Sequence, residues 1–190
     1  MGNNLVTRTE YKTYVGITNP NQDAEIDVLI GKVSALVKTY CRQSFVDNYD
    51  DPKSEQTNGG DNIIYLKEHP VVSVLSVETS DDYGKTYTEM SEYSDWVYEP
   101  QSYGVRSISP SGFTSKINGY RVSYTCGYAS VPEDLKLAVL DLITYYRKND
   151  SAIHSPKAPG SNSVQIEYIS TTSLPAHIRR ILDLYAADYV

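Results

Sequence analysis

Between residues 120 and 139 the spacing of the apolar residues changes from two to between three and four, and this change constrains the fold more than any other stretch. Tyr120, Val122, Tyr124 and Cys126 alternate with Arg121, Ser123 and Thr125, which predicts a strand with one buried face and one wet face. Gly127 supplies a turn. Ser130-Val131-Pro132-Glu133 then reads as a capping box, with Ser130 accepting from the third helical N–H and Glu133 answering it. The helix that follows, to about Lys148, carries a stripe of Leu135, Ala138, Val139, Leu142 and Tyr146, with Leu137 and Leu140 outside it. An apolar surface wider than one stripe needs two partners, either two faces of one core or the core and a neighbouring subunit.

Helices are expected at both ends of the chain and strands between them. A short helix follows Thr9, from Glu10 to Val15, and stops at Gly16. A longer one starts between Asn19 and Asp23, where Asn19-Pro20 offers a cap followed by proline in the first turn. It continues through Ile26, Leu29, Ile30, Val33, Val37, Tyr40 and Cys41 at helical spacing. Residues 46 to 62 read as a polar loop or wide hairpin. Strands are expected at Asn62–Leu66, Val71–Val77, Thr86–Met90, Trp96–Tyr98 and Val105–Ile108, with turns at His69-Pro70 and at Asp81-Asp82-Tyr83-Gly84. From Asn149 to Ser163 the composition is that of a linker. Val164, Ile166 and Tyr168 then alternate with Gln165 and Glu167 as an isolated strand. Leu174, Ile178, Ile181, Leu182, Tyr185 and Tyr189 form one face of a terminal helix whose other face shows Arg179, Arg180 and Asp183.

A chain of 190 residues is long enough to bury a single core without disulfides or metal. The unusual part of its composition is 18 Tyr against 2 Phe and 1 Trp. Tyrosine suits surfaces that are wet in one state and buried in another, and it also replaces phenylalanine in small β-rich cores. The opening Met1-Gly2-Asn3-Asn4 does not read as a signal peptide, and no run of about 18 apolar residues is present. Cytosolic synthesis with Cys41 and Cys126 as free, buried thiols is therefore expected. Residues 44 to 99 hold 13 acidic side chains against Lys53, Lys67 and Lys85. Such a segment does not neutralise phosphates; it is either a solvated face or a wall that repels nucleic acid.

No catalytic, cofactor or metal constellation emerges. Gly84-Lys85-Thr86 lacks the earlier glycine of a phosphate loop, since Thr79 stands there. His69, His154 and His177 are scattered without metal-ligand spacing. No serine sits in a Gly-x-Ser-x-Gly elbow, and Asp50-Asp51 and Asp81-Asp82 lie among turn residues.

The order of parts resembles the head-tail connector (adaptor, or head-completion) proteins of tailed bacteriophages. The residues that carry it are Val37 to Phe45, Ile64 to Val74, Trp96-Val97-Tyr98 and, above all, the unbroken run from Val122 to Val139. The resemblance implies a structural virion protein in the neck, not an enzyme, with no cofactor. Its expected fold is α+β: a helical bundle of N- and C-terminal helices with an inserted antiparallel β-rich subdomain. On that reading the helical core spans about 7–45 and 130–149, the β-rich insertion 46–129, and the linker, strand and helix 150–190. The family implies a homo-oligomer, a dodecameric ring that docks beneath the portal protein. A tail-side neck or stopper protein binds below, and double-stranded DNA passes through the channel without sequence-specific contacts. The terminal helix, with Arg179, Arg180, Tyr185 and Tyr189, is the expected portal contact. Val164, Ile166, Tyr168, Leu137 and Leu140 are the expected subunit contacts, the 164–169 strand pairing with a sheet edge. Two rivals remain, a tyrosine-rich carbohydrate- or receptor-binding β-module and a hydrolase with an unrecognised site.

Overall fold

The structure is a computed structural model that describes residues 3–152 and 174–187. It is α+β and divides into two compact units, one built on Arg42–Ser130 and one made of Asn4–Cys41 with Val131–Ala186.

The second unit is helical. Its first helix, α1 (Arg8–Val15), starts two residues earlier than the sequence suggests, because Thr7 and not Thr9 is the cap. The Thr7 side chain accepts from the Glu10 N–H at 3.2 Å while the Glu10 carboxylate accepts from the Thr7 N–H at 2.7 Å, a complete capping box. Gly16 closes the helix in the left-handed region, φ 72°, where a side chain is costly. Asn19 caps a 3-10 turn at Pro20–Gln22 that leads into α2 (Asp23–Cys41). Ile26, Ile30, Val33, Val37 and Cys41 of the expected stripe are buried, joined by Ser34, whose hydroxyl accepts the Leu5 N–H at 3.1 Å.

The capping box expected at Ser130 is not formed. Helix α3 (Glu133–Ala152) begins at Glu133, and the Pro132 carbonyl accepts its first bond, from the Lys136 N–H at 2.8 Å. Val131 precedes a proline, which pushes it out of the helical region, so the helix starts after Pro132 and Glu133 takes the first position instead of the third. Leu135, Ala138, Val139, Leu142 and Ile143 are buried to completion. The helix also runs on through Ala152, four residues into the stretch expected to be linker. The fourth helix, α4, covers Ala176–Asp183.

Among the described residues, the first unit holds seven strands in two antiparallel sheets. One has the order β1 (Lys53–Thr57), β7 (Tyr120–Cys126), β3 (Val71–Thr79), β4 (Thr88–Glu89); the other has β2 (Ile63–Tyr65), β6 (Gly104–Ser107), β5 (Trp96–Glu99). Strand β1 lies inside the 46–62 segment expected to be a loop or wide hairpin, and β4 is shorter than the five-residue strand expected at Thr86–Met90. One core serves the whole unit. Ile64, Leu66, Val77, Trp96, Val105, Phe113, Tyr120, Val122, Tyr124 and Cys126 meet there. Burying each such side chain is worth about 1.5–3 kcal/mol.

Strand β3 departs from simple alternation. Val71, Val74 and Val77 pair with Cys126, Tyr124 and Val122, so β3 advances three residues for every two of β7. A bulge between each pair absorbs the extra residue. The inward face thus receives Val71, Val74 and Val77, while the surplus residues Val72 and Leu75 go to the surface.

Beyond β7, Gly127 has φ 96° and donates its N–H to the Pro70 carbonyl at 2.8 Å. A Cβ at this position would run into the Phe45 carbonyl, which accepts the Tyr128 N–H at 2.8 Å. The turn between strand and helix therefore requires glycine for both conformation and space.

Candidate functional site

An eight-residue helix such as α4 has too few internal hydrogen bonds to persist alone, so its packing decides whether it forms. Ile178 and Leu182 are buried within the helical unit. Around them, the Tyr40 hydroxyl donates to Asp183 at 2.5 Å, the Tyr185 hydroxyl donates to Asp134 at 2.6 Å, and the Cys41 thiol reaches the Leu182 carbonyl at 3.5 Å. Arg179 and Arg180 lie on the same helix. Both are exposed, and among the described residues neither guanidinium makes a hydrogen bond or an ion pair, although the Arg179 charge acts on the Tyr40 hydroxyl. Two unpaired guanidinium groups on a pinned helix form a surface suited to carboxylates of a partner protein.

The helix ends at Asp183, so Tyr185 is not part of its face as expected; it lies beyond the last turn, half-buried, with its hydroxyl committed to Asp134. Tyr189 lies outside the described residues, and so do Val164, Ile166 and Tyr168. Leu137 and Leu140 are placed differently from each other. Leu137 is 46% exposed, whereas Leu140 is 7% exposed and belongs to the buried side of α3.

Much of the acidic segment is consumed within the β-rich unit. Glu78 pairs with Arg121, Glu99 with Arg106 and Asp81 with Lys116. At the centre of a larger network, Glu68 accepts from the Ser44 N–H at 2.9 Å, the Ser44 hydroxyl at 2.5 Å and the Lys53 ammonium at 2.7 Å. Lys53 also meets Glu55 at 3.0 Å, and Glu55 accepts the Tyr124 hydroxyl at 2.6 Å. Burial works to raise the Glu68 carboxyl, but the bonds from Lys53 and Ser44 hold it below the ordinary carboxylate range. What remains on the surface is Asp50, Asp51, Asp61, Glu89, Glu92 and Asp95.

The same unit presents tyrosines in a way the sequence does not announce. Tyr83, Tyr93 and Tyr103 all have positive φ and all are exposed, Tyr93 to 76%. A bulky residue in the left-handed region costs roughly 1–2 kcal/mol. The three tyrosines stand at separate turns, Tyr83 and Tyr93 largely in solvent and Tyr103 with its ring stacked on His69 at 5.2 Å between centroids. The turn expected at Asp81-Asp82-Tyr83-Gly84 contains Tyr83, whereas no turn is expected at Tyr93 or Tyr103.

The chemistry of the interior is inert. Cys41 and Cys126 are free and buried, and burial pushes both thiols up to about 12, so neither is a thiolate at neutral pH. Among the described residues no group of His, Cys, Asp and Glu is placed to hold a metal ion, and no helix is long and apolar enough to cross a membrane.

Comparison with known proteins decides what kind of chain this is. The family model described as "Head completion protein" matches residues 4–187. The chain belongs to the head completion protein family. A head completion protein of Escherichia phage T5 is 24% identical over 182 residues, spanning 95% of this chain and 97% of that one. Among solved structures, the neck of an empty gene transfer agent (GTA) particle, computed with C6 symmetry, superposes with a TM-score of 0.64 at 14% identity, covering 98% of this chain and 91% of that one. The neck of the native particle, computed with C12 symmetry, gives 0.59 at 13% identity, covering 100% and 97%. At such identities the likeness to these necks is one of fold. Membership of the head completion family makes the chain a structural virion protein, not an enzyme.

Proposed function

We propose that this chain occupies the neck of a tailed-phage virion, forming a dodecameric ring beneath the portal that joins head to tail and extends the DNA channel. The observation that carries this reading is the family match over residues 4–187, supported by a fold shared with neck structures along 98% of the chain. In this reading the helices form a bundle with the β-rich part as its insertion, and a tail-side neck or stopper protein binds below.

Arg179 and Arg180 dock on the portal, with Tyr185 and Tyr189 beside them. Leu137 serves as the apolar subunit contact on α3 and Leu140 supports it from beneath, while Val164, Ile166 and Tyr168 add a strand contact. The exposed carboxylates of the β-rich unit let double-stranded DNA slide past without adhesion, because like charges prevent counterion release and binding. Particles assembled without this chain test the reading: filled heads lacking tails are expected, and normally tailed particles would overturn it.

A further inference from the structure

We propose that the outer edge of β3, from Val71 to Ser76, receives the segment Val164–Tyr168 of a second copy of this chain. The proposal rests on the ring reading and deepens it by naming where one subunit grips the next.

The edge is open. Strand β4 pairs only with Glu78 and Thr79, and the Met90 N–H extends the contact to the Val77 carbonyl and no further. From Val71 to Ser76 the side of β3 away from β7 has no strand partner among the described residues. Val72 and Leu75, displaced by the two bulges, are 46% and 53% exposed, so among the described residues this part of β3 is left open.

It is also unguarded. Exposed edges are normally blunted by lysine, proline or an inward charge, yet Val71-Val72-Ser73-Val74-Leu75-Ser76 contains none. The edge on the far side of the same sheet, β1, carries Lys53 and Glu55. An apolar, uncharged edge that is left open in the single chain is suited to strand addition.

The occupant follows from pattern and length. Val164, Ile166 and Tyr168 alternate with Gln165 and Glu167, so a strand there has one apolar face and one polar face. Val71 and Val74 are only partly buried at the rim of the core, and the apolar face of an added strand would complete their cover. From Ala152 to Val164 is 12 residues, a span of up to about 40 Å when fully extended. A donor on one copy and an acceptor on the next make a head-to-tail contact, the kind that rotation closes into a ring.

Cysteine pairs in the full chain test this. Val74→Cys is combined in turn with Val164→Cys, Ile166→Cys and Tyr168→Cys, rings are assembled on the portal, and a mild oxidant is added. The native thiols are buried, and Val74→Cys alone controls for any link to them. At least one pair is expected to give a ladder of covalent multimers on a denaturing gel. Rings seen by electron microscopy whose pairs give no ladder, or link only within one chain, overturn this proposal and leave the ring standing. If no ring assembles, the ring reading itself fails and takes this proposal with it.

Discussion

Glu68 shows how a charged residue can serve as a staple. It ties the Ser44 loop, β1 and the segment before β3 together through Ser44, Lys53 and, by way of Glu55, Tyr124. Because its folded carboxyl sits below the ordinary value of 4.5, its contribution is fully present above that pH and is lost as pH falls through the lower folded value. Denaturant unfolding followed by fluorescence of Trp96, which is buried in the same core, should therefore show stability declining below about pH 4.5. In Glu68→Gln the neutral-pH stability should drop by about 1–3 kcal/mol, and the acid decline should flatten. An unchanged pH profile in that variant would show that Glu68 does not supply the linkage. None of this was legible in the sequence. Lys53-Ser54-Glu55-Gln56-Thr57 has no apolar alternation and reads as loop, and it becomes a strand because its two charged side chains find partners on distant segments.

At the scale of elements, what local periodicity specifies was readable. Helix α2 and strand β7 follow their apolar patterns, and Arg179 and Arg180 lie exposed as the α4 pattern requires. What local rules specify in competition was not readable. Ser130 and Glu133 satisfy the capping pattern, but the proline between them moves the helix start, whereas Thr7 and Glu10 form the box in full. Thr7→Ala should accordingly cost about 1 kcal/mol of stability and Ser130→Ala close to none, as read from thermal or denaturant midpoints. Equal losses would mean that Ser130 caps α3 after all. The irregular run Val71-Val72-Ser73-Val74-Leu75-Ser76-Val77 did contain a signal. Val71, Val74 and Val77 recur every three residues, and a flat strand satisfies that only by bulging.

For the whole molecule, the physical theme is apolar and aromatic surface that the described residues leave uncovered: the β3 edge, Leu137, and the outward tyrosines at positions 83 and 93. A structural virion protein whose neighbours arrive only during assembly accounts for that pattern, and a catalyst does not require it. Electron microscopy of the purified portal incubated with the full chain tests the central claim most directly. The account predicts one closed ring of symmetry-related copies seated beneath each portal. A portal left bare, or decorated by isolated copies that never close, would contradict it.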